Sequence, residues 1–194
     1  MNKMIYVLAI AIVVFVGWKL TSRTAYESAE YTVLESDGSF EIREYPELLM
    51  ATTPMTQMSG GDGSFNRLFQ YISGQNEEQQ KVAMTTPVFM ETKSPDAAGQ
   101  MGFVVPKKVA ESTTPTPANS QVQLNRRAAG KFAVLRFAGR IDSKIQSQQL
   151  QKLRDWIESQ GLQPANDRHE IAGYDPPWTP GPVRRNEILI RLLP

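Results

Sequence analysis

The sequence predicts an α+β fold built from two strand-helix-strand-strand units that share one sheet. Short runs of alternating apolar residues are typical of strands, and two longer segments carry apolar residues at the three- and four-residue spacing of a helix. The same order of elements occurs before and after a connector rich in Ser, Thr and Pro at residues 111–120. Because neither unit can bury its sheet alone, we expect this pseudo-duplication to form a distorted eight-stranded β-barrel with both helices packed outside.

The chain begins with an apolar segment at residues 4–18, which carries no charge and is flanked by lysines. The segment is shorter than the roughly 20 residues of a typical membrane-spanning helix, but the flanking lysines can extend to the bilayer surface. No small-x-small motif for cleavage of a signal peptide directly follows it. We therefore predict an N-terminal hydrophobic helix at residues 1–22 that anchors the protein in a membrane, with the domain on the periplasmic or extracytoplasmic side. The alternative is a cleaved signal peptide and a secreted domain. Residues 23–30 would be a linker and residues 31–194 one domain.

The first unit begins with two predicted strands at residues 40–53. A glycine-rich loop then leads into a helix whose apolar residues share one face: Phe65, Leu68, Phe69 and Ile72. Further strands are predicted at residues 82–90 and 101–105, so the unit contains strands on both sides of its helix.

The second unit repeats this order. A strand at residues 132–137 precedes a longer helix, for which Ser143 opens a capping-box pattern. The apolar stripe of this helix is formed by Leu150, Leu153, Trp156 and Ile157. Closing strands are predicted at residues 168–174 and 186–193.

The composition excludes several classes of function. The formal net charge is +1 and there is no basic run, so the sequence carries no electrostatic signature of nucleic-acid binding. The chain has no Cys and one His, which excludes disulfides, thiolate sites and zinc sites built on several His or Cys ligands. No general acid or base is accompanied by a second catalytic group, so we predict neither an enzyme nor a metal site.

Two separated motifs carry a family resemblance. Met84-Thr85-Thr86-Pro87-Val88 is followed by Ala172-Gly173-Tyr174-Asp175-Pro176-Pro177-Trp178, and then by Arg184-Arg185-Asn186-Glu187-Ile188. The small Ala-Gly pair permits close approach at a strand end, and the two prolines stiffen the segment that presents Trp178. In this order, and over residues 31–194, the motifs resemble those of the SOUL family of haem-binding proteins.

The resemblance implies the fold expected above, which is also similar to the ligand-binding domains of bacterial multidrug-responsive regulators. It also implies reversible binding of haem or a related tetrapyrrole in a shallow apolar pocket. This pocket would lie between the first helix and residues 174–185, which we call the Pro-Pro loop. Transferred by position, the resemblance places Phe65 and Phe69 on the apolar floor of this pocket. The predicted ligand-binding residues also include Trp178 and three cations that could bind the carboxylates of a tetrapyrrole: Arg67, Arg184 and Arg185.

The chain departs from the family pattern at charged positions. Basic residues that the family can offer at the pocket edge become Asp62, Gln70 and Thr179, and a histidine proposed as axial ligand becomes Glu44. The resemblance therefore implies haem held without a histidine ligand. His169 is predicted to be an ordinary surface or rim residue of a strand and not a ligand.

The residues alone leave some roles open. Phe65 and Phe69 could equally pack on the sheet. Arg184 and Arg185 are better explained as braces of the Pro-Pro loop that bind carbonyls or Asp175.

The predicted function is non-catalytic binding of a tetrapyrrole for buffering or delivery. The alternative is a membrane-tethered scaffold that binds a protein partner or a small apolar ligand without haem. An apolar pocket with few convergent charges is compatible with either function.

Overall fold

The computed structural model describes residues 26–56, 61–92, 99–176 and 178–194. The predicted N-terminal hydrophobic helix at residues 1–22 lies outside this range. Within the described residues, no helix combines the length and the apolar character needed to cross a bilayer.

The described chain forms a large antiparallel sheet with helices against it. The strands are β1 (Glu27–Ser28), β2 (Thr32–Asp37), β3 (Phe40–Tyr45), β4 (Leu48–Met55), β5 (Thr85–Thr86), β6 (Val88–Thr92), β7 (Gly99–Val104), β8 (Gln123–Arg127), β9 (Gly130–Phe137), β10 (His169–Gly173) and β11 (Asn186–Arg191). The helices are α1 (Ser64–Ile72), α2 (Lys107–Ala110) and α3 (Ser143–Ser159), and a short 3-10 helix covers Gly181–Val183.

Nine strands form one sheet in the order β2-β3-β9-β11-β10-β6-β7-β4-β8. Both units use the same pairing: β4, β7 and β6 are adjacent in the first, and β9, β11 and β10 in the second, with β6 and β10 joining the units. The predicted mixed α+β class is therefore correct.

The predicted eight-stranded barrel is wrong. The sheet has nine strands, and its outermost strands, β2 and β8, do not pair with each other in the described residues. Every residue of β2 is exposed, so this strand forms an open edge rather than a closing seam. The two edge strands were not predicted, because their residues are mostly exposed and lack an apolar run.

Part of the predicted linker is attached to the domain. β1 pairs in parallel with β5, and the Ala29 amide donates a 2.8 Å hydrogen bond to the Thr86 carbonyl. The Glu27 carboxylate accepts a 2.8 Å hydrogen bond from the Lys107 amide at the start of α2. The described part of residues 23–30 is thus held against the motif that contains Thr85 and Thr86.

The two main helices pack on one face of the sheet and leave its centre between them. α1 lies on β4 and β7, and α3 lies on β9 and β11. Strands β10 and β6 run between these two pairs. On this face a continuous core is buried, whereas the opposite face buries a second cluster that includes Tyr45, Phe89, Phe132 and Tyr174.

Candidate functional site

Two phenylalanines of α1 stand on the surface as a stacked pair. The ring centroids of Phe65 and Phe69 are 6.1 Å apart with an interplanar angle of 13°, and the two residues are 36% and 48% exposed. The predicted apolar face of this helix is therefore divided, because Leu68 and Ile72 are buried against the sheet. The Phe65 ring also makes an edge-type contact with Phe103 on β7, at a centroid distance of 5.2 Å and an interplanar angle of 63°.

The other aromatic residue of α1 is structural. Tyr71 is buried, and its hydroxyl donates a 2.7 Å hydrogen bond to the Pro115 carbonyl. This contact fixes residues of the connector at 111–120 against the helix. It leaves the Phe65–Phe69 pair as the exposed aromatic surface of α1.

The two sequence motifs lie side by side in the sheet, next to this pair. Gly173 of β10 is the register partner of Val88 on β6, and Val88 is the partner of Phe103. A Cβ atom built on Gly173 would meet no atom within 4 Å. The surface above Gly173 and Val88, between α1 and α3, is therefore open, and we call it the interhelix groove.

The interhelix groove is short, because the next residues along the same face of β10 and β6 are already buried. Ile171 and Met90 follow on the same face of β10 and β6, and they are 0% and 8% exposed. Gly173 and Val88 are only half-buried. The open floor is thus confined to the strand ends nearest the Pro-Pro loop.

The Pro-Pro loop is braced by its own backbone and by two arginines. The Arg185 amide donates a 2.6 Å hydrogen bond to the Asp175 carboxylate, and Arg184 Nε donates a 2.8 Å hydrogen bond to the Thr179 carbonyl. The Arg184 guanidinium therefore braces the loop as predicted, whereas Arg185 reaches Asp175 through its backbone amide and not through its guanidinium. Trp178 is 69% exposed, and the described residues place no aromatic ring in contact with it.

The guanidinium of Arg185 binds a buried carboxylate on the sheet face opposite the helices. Arg185 Nη2 lies 2.6 Å from Glu187 Oε1, while Arg43 donates hydrogen bonds of 2.7 and 3.0 Å to the same carboxylate. The Tyr174 hydroxyl donates a further hydrogen bond of 2.9 Å. Burial alone would raise the pKa of Glu187, but the hydrogen bonds and charges of Arg43 and Arg185 outweigh it and lower that pKa. Arg185 is therefore not directed at the interhelix groove.

Arg67 is also engaged by neighbouring protein groups. Its Nε donates to Thr53 Oγ1 at 2.9 Å, and its two terminal nitrogens donate to the carbonyls of Asp62 and Pro54 at 3.2 and 2.6 Å. These bonds tie α1 to β4. If Arg67 contacts a ligand as predicted, it must do so through guanidinium N–H groups that do not take part in these three hydrogen bonds.

Asp62, where the family can offer a basic residue, carries a stable negative charge. Its carboxylate accepts hydrogen bonds from the Ser64 amide at 3.0 Å and the Thr56 amide at 2.5 Å. Burial opposes ionisation, but the hydrogen bonds from Ser64 and Thr56 are stronger in sum and hold the pKa of Asp62 below its usual range. The start of α1 therefore has an anionic side chain.

The lone histidine lies under α3, at the far end of β10 from Gly173. The predicted surface or rim position of His169 is wrong, because the residue is 1% exposed and its Nε2 is 2.8 Å from Nε2 of the Gln146 side chain on α3. Burial, and then the charge of Arg154, lower the pKa of His169 to about 4. A ligand in the interhelix groove does not meet this ring. Across the described ranges, no cluster of three or more His, Asp or Glu side chains could hold a metal ion.

Val88 and Gly173, which form the groove floor, and Arg140 beside it were not among the predicted ligand-binding residues. Val88 was recognised only as part of a motif, although its pairing with Gly173 brings the two motifs together. Arg140 lies in the loop between β9 and α3, where its side chain rests against Gly181 of the Pro-Pro loop: a Cβ on Gly181 would stand 3.6 Å from Arg140 Cγ. No sequence pattern marked Arg140, because only the tertiary contact between the two loops brings it to the site.

Comparisons with known proteins give a family and a fold. The sequence profile of a family described as SOUL heme-binding protein matches residues 26–191. The chain is 28% identical to human "Heme-binding protein 2" over 148 residues, which is 72% of each protein. It is 26% identical to "Heme-binding protein 1" of Xenopus tropicalis, with 79% of this chain and 84% of that protein covered.

Two solved structures share the fold at low sequence identity. The C-terminal domain of EcmrR matches with a TM-score of 0.59 at 15% identity, covering 84% of this chain and 98% of that one. A protein from Listeria innocua described as a hydrolase matches with a TM-score of 0.55 at 11% identity, covering 82% of this chain and 94% of that one. At these identities the likeness extends to architecture and not to function.

Proposed function

Because the chain belongs to the SOUL family of haem-binding proteins, we propose that it binds haem or a related tetrapyrrole reversibly in the interhelix groove and does no chemistry on it. The observation that carries this proposal is the exposed, nearly parallel Phe65–Phe69 pair beside the open floor at Gly173 and Val88. Such a site suits buffering or delivery of the ligand.

The chemistry of the groove suits the flat macrocycle. An aromatic ring that contacts a second aromatic system contributes about 0.5–1.5 kcal/mol beyond the burial of its area. Phe65 and Phe69 are already held by the packing of Leu68 and Ile72 beneath them, so binding orders little additional structure. Burying the exposed rings under a planar ligand would also remove apolar surface from water.

The residues around the groove suit the macrocycle better than the iron. His169 is the one histidine of the chain, and it is buried under α3 with Gln146. Iron ligation by histidine therefore contributes nothing to the proposed site. We expect haemin and metal-free protoporphyrin IX to bind the full chain with affinities that agree within about threefold, a difference of under 1 kcal/mol.

The first test is a haemin titration of the full chain in mild detergent, followed at the Soret band. We expect a saturable shift for the wild type and its loss in Phe69→Asp, because a carboxylate replaces the most exposed ring of the pair. Leu34→Asp is the matched control: Leu34 is 43% exposed on the edge strand β2, and the variant should bind like the wild type. Absence of a saturable shift in the wild type, or equal loss in both variants, contradicts the proposal.

The second candidate function is the membrane-tethered scaffold. The engagement of Arg67 and Arg185 by protein groups favours it, since these cations were expected to attract tetrapyrrole carboxylates. A stoichiometric protein partner that is retained by Phe69→Asp, together with no haemin binding by the wild type, would support the scaffold over ligand storage.

A further inference from the structure

We propose that Arg140 binds a carboxylate of the ligand at the loop side of the interhelix groove, so that the site selects planar molecules with an acidic edge. This inference rests on the proposed function. It assigns the acid-recognising role to a residue outside both sequence motifs and outside the positions where the family can offer basic residues.

Arg140 is placed by two hydrogen-bonded loops. The Asn186 side chain, on the helix face of β11, donates a 2.8 Å hydrogen bond from Nδ2 to the Gly139 carbonyl. The Gly139 amide donates a 3.0 Å hydrogen bond to the Gly181 carbonyl. The loop between β9 and α3 is therefore fixed to the Pro-Pro loop, and the stem of Arg140 lies on Gly181.

The register of the sheet shows that Arg140 and the phenylalanine pair stand on opposite sides of the groove floor. One row of register partners crosses five strands: Phe137, Asn186, Gly173, Val88 and Phe103. Four strand spacings of about 4.8 Å make this row about 19 Å wide. The Phe65 ring contacts Phe103 at one end, and Arg140 follows Phe137 by three residues at the other.

Arg140 is a better candidate for binding a ligand carboxylate than Arg67 or Arg185, because those two arginines already bind protein groups. Arg67 donates to three oxygens of the protein, and Arg185 is paired with the buried Glu187. Arg140 is exposed and has no hydrogen-bond or ion-pair partner within the described ranges. Asp142, the nearest acid along the chain, accepts a 2.8 Å hydrogen bond from the Ile145 amide as the cap of α3.

The geometry of the guanidinium fits this role. It presents paired N–H donors in a fixed plane that matches a carboxylate, and its charge does not depend on pH in the physiological range. A ligand that lies against Phe65 and Phe69 and extends across Gly173 would place its far edge at Arg140. The carboxylate would then sit at the exposed rim, where it keeps part of its hydration.

The test compares two metal-free probes, protoporphyrin IX and its dimethyl ester, which differ only in their two carboxylates. Porphyrin fluorescence is titrated with the full-length wild type, Arg140→Ala, Arg140→Lys and Lys131→Ala. Lys131 is the matched control, because it is exposed and lies about 20 Å along β9 from Phe137, the strand end that precedes the loop of Arg140. Circular dichroism confirms that each variant is folded.

We expect Arg140→Ala to weaken protoporphyrin binding about three- to tenfold, the range of one partly exposed charged contact, and to leave the dimethyl ester within about twofold. Arg140→Lys should retain part of the affinity, and Lys131→Ala all of it. If Arg140→Ala weakens the binding of both probes equally, Arg140 has only a structural role and the inference is wrong. The inference is also wrong if Arg140→Ala binds protoporphyrin IX as tightly as the wild type. Both results leave the proposed function intact, whereas a wild type that binds neither probe overturns both proposals.

Discussion

At the scale of single residues, the feature with the largest cost in folding free energy is the buried negative charge of Glu187. A carboxylate that is 0% exposed would be strongly unfavourable alone, but Arg43, Arg185 and the Tyr174 hydroxyl supply its hydrogen bonds. The backbone amide of Arg185 also donates a hydrogen bond to the Asp175 carboxylate, so this cluster connects the sheet interior to the Pro-Pro loop.

Glu187→Gln should destabilise the protein by about 3–5 kcal/mol, since it leaves two arginines near a neutral partner in a buried setting. Urea unfolding measures the change. Glu47→Gln is the control: Glu47 pairs with Arg126 at the surface, and its loss should cost at most about 1 kcal/mol. Equal effects of the two substitutions would contradict the assigned role of Glu187.

His169 should make stability depend on pH. Its pKa is lowered from 6.5 to about 4 in the folded state, so the unfolded chain binds the proton more readily. The contribution is fully present above about pH 6.5 and is lost as the pH falls through about 4, with a total of at most about 3 kcal/mol. His169→Asn should flatten the curve of unfolding free energy in this window. If the unfolding free energy of His169→Asn depends on pH as steeply as that of the wild type, other groups cause the pH dependence.

At the scale of elements, the helix caps provide a direct comparison of sequence and structure. The capping-box pattern pointed to Ser143, whereas the structure places Asp142 at the N-cap of α3 with its carboxylate 2.8 Å from the Ile145 amide. Asp142→Ala should therefore reduce the free energy of unfolding by about 1 kcal/mol, and Ser143→Ala by much less. The reverse order in thermal or urea unfolding would restore the sequence-based assignment.

Periodicity predicted both main helices and most inner strands, because burial imposes a repeat of 3.6 or 2 on apolar residues. It did not predict which residues of α1 face water: Phe65 and Phe69 share a helical edge with Leu68, and only the position of α1 over β4 and β7 exposes them. The edge strand β2 carries no such repeat because its residues are all exposed.

At the scale of the whole molecule, the pairing of two like units creates the site. Each unit has one helix over two of its strands, so the third strands, β6 and β10, meet at the centre, and their ends at Val88 and Gly173 are left open between the helices. One family motif ends at Val88, where β6 begins, and the other starts at Ala172 and Gly173, where β10 ends, which explains why two distant sequence segments could indicate one site. The sequence could not show that Arg140 joins them, because that placement needs the contact between Gly139 and Gly181.

The most direct test of the account is a haemin titration of Gly173→Leu beside the wild type. A Cβ atom at Gly173 would meet no atom within 4 Å, so we expect the variant to fold and melt like the wild type while its side chain fills the floor of the interhelix groove. We predict a saturable Soret shift for the wild type and a loss of at least about tenfold in affinity for Gly173→Leu. A folded Gly173→Leu that binds haemin as tightly as the wild type would contradict the account.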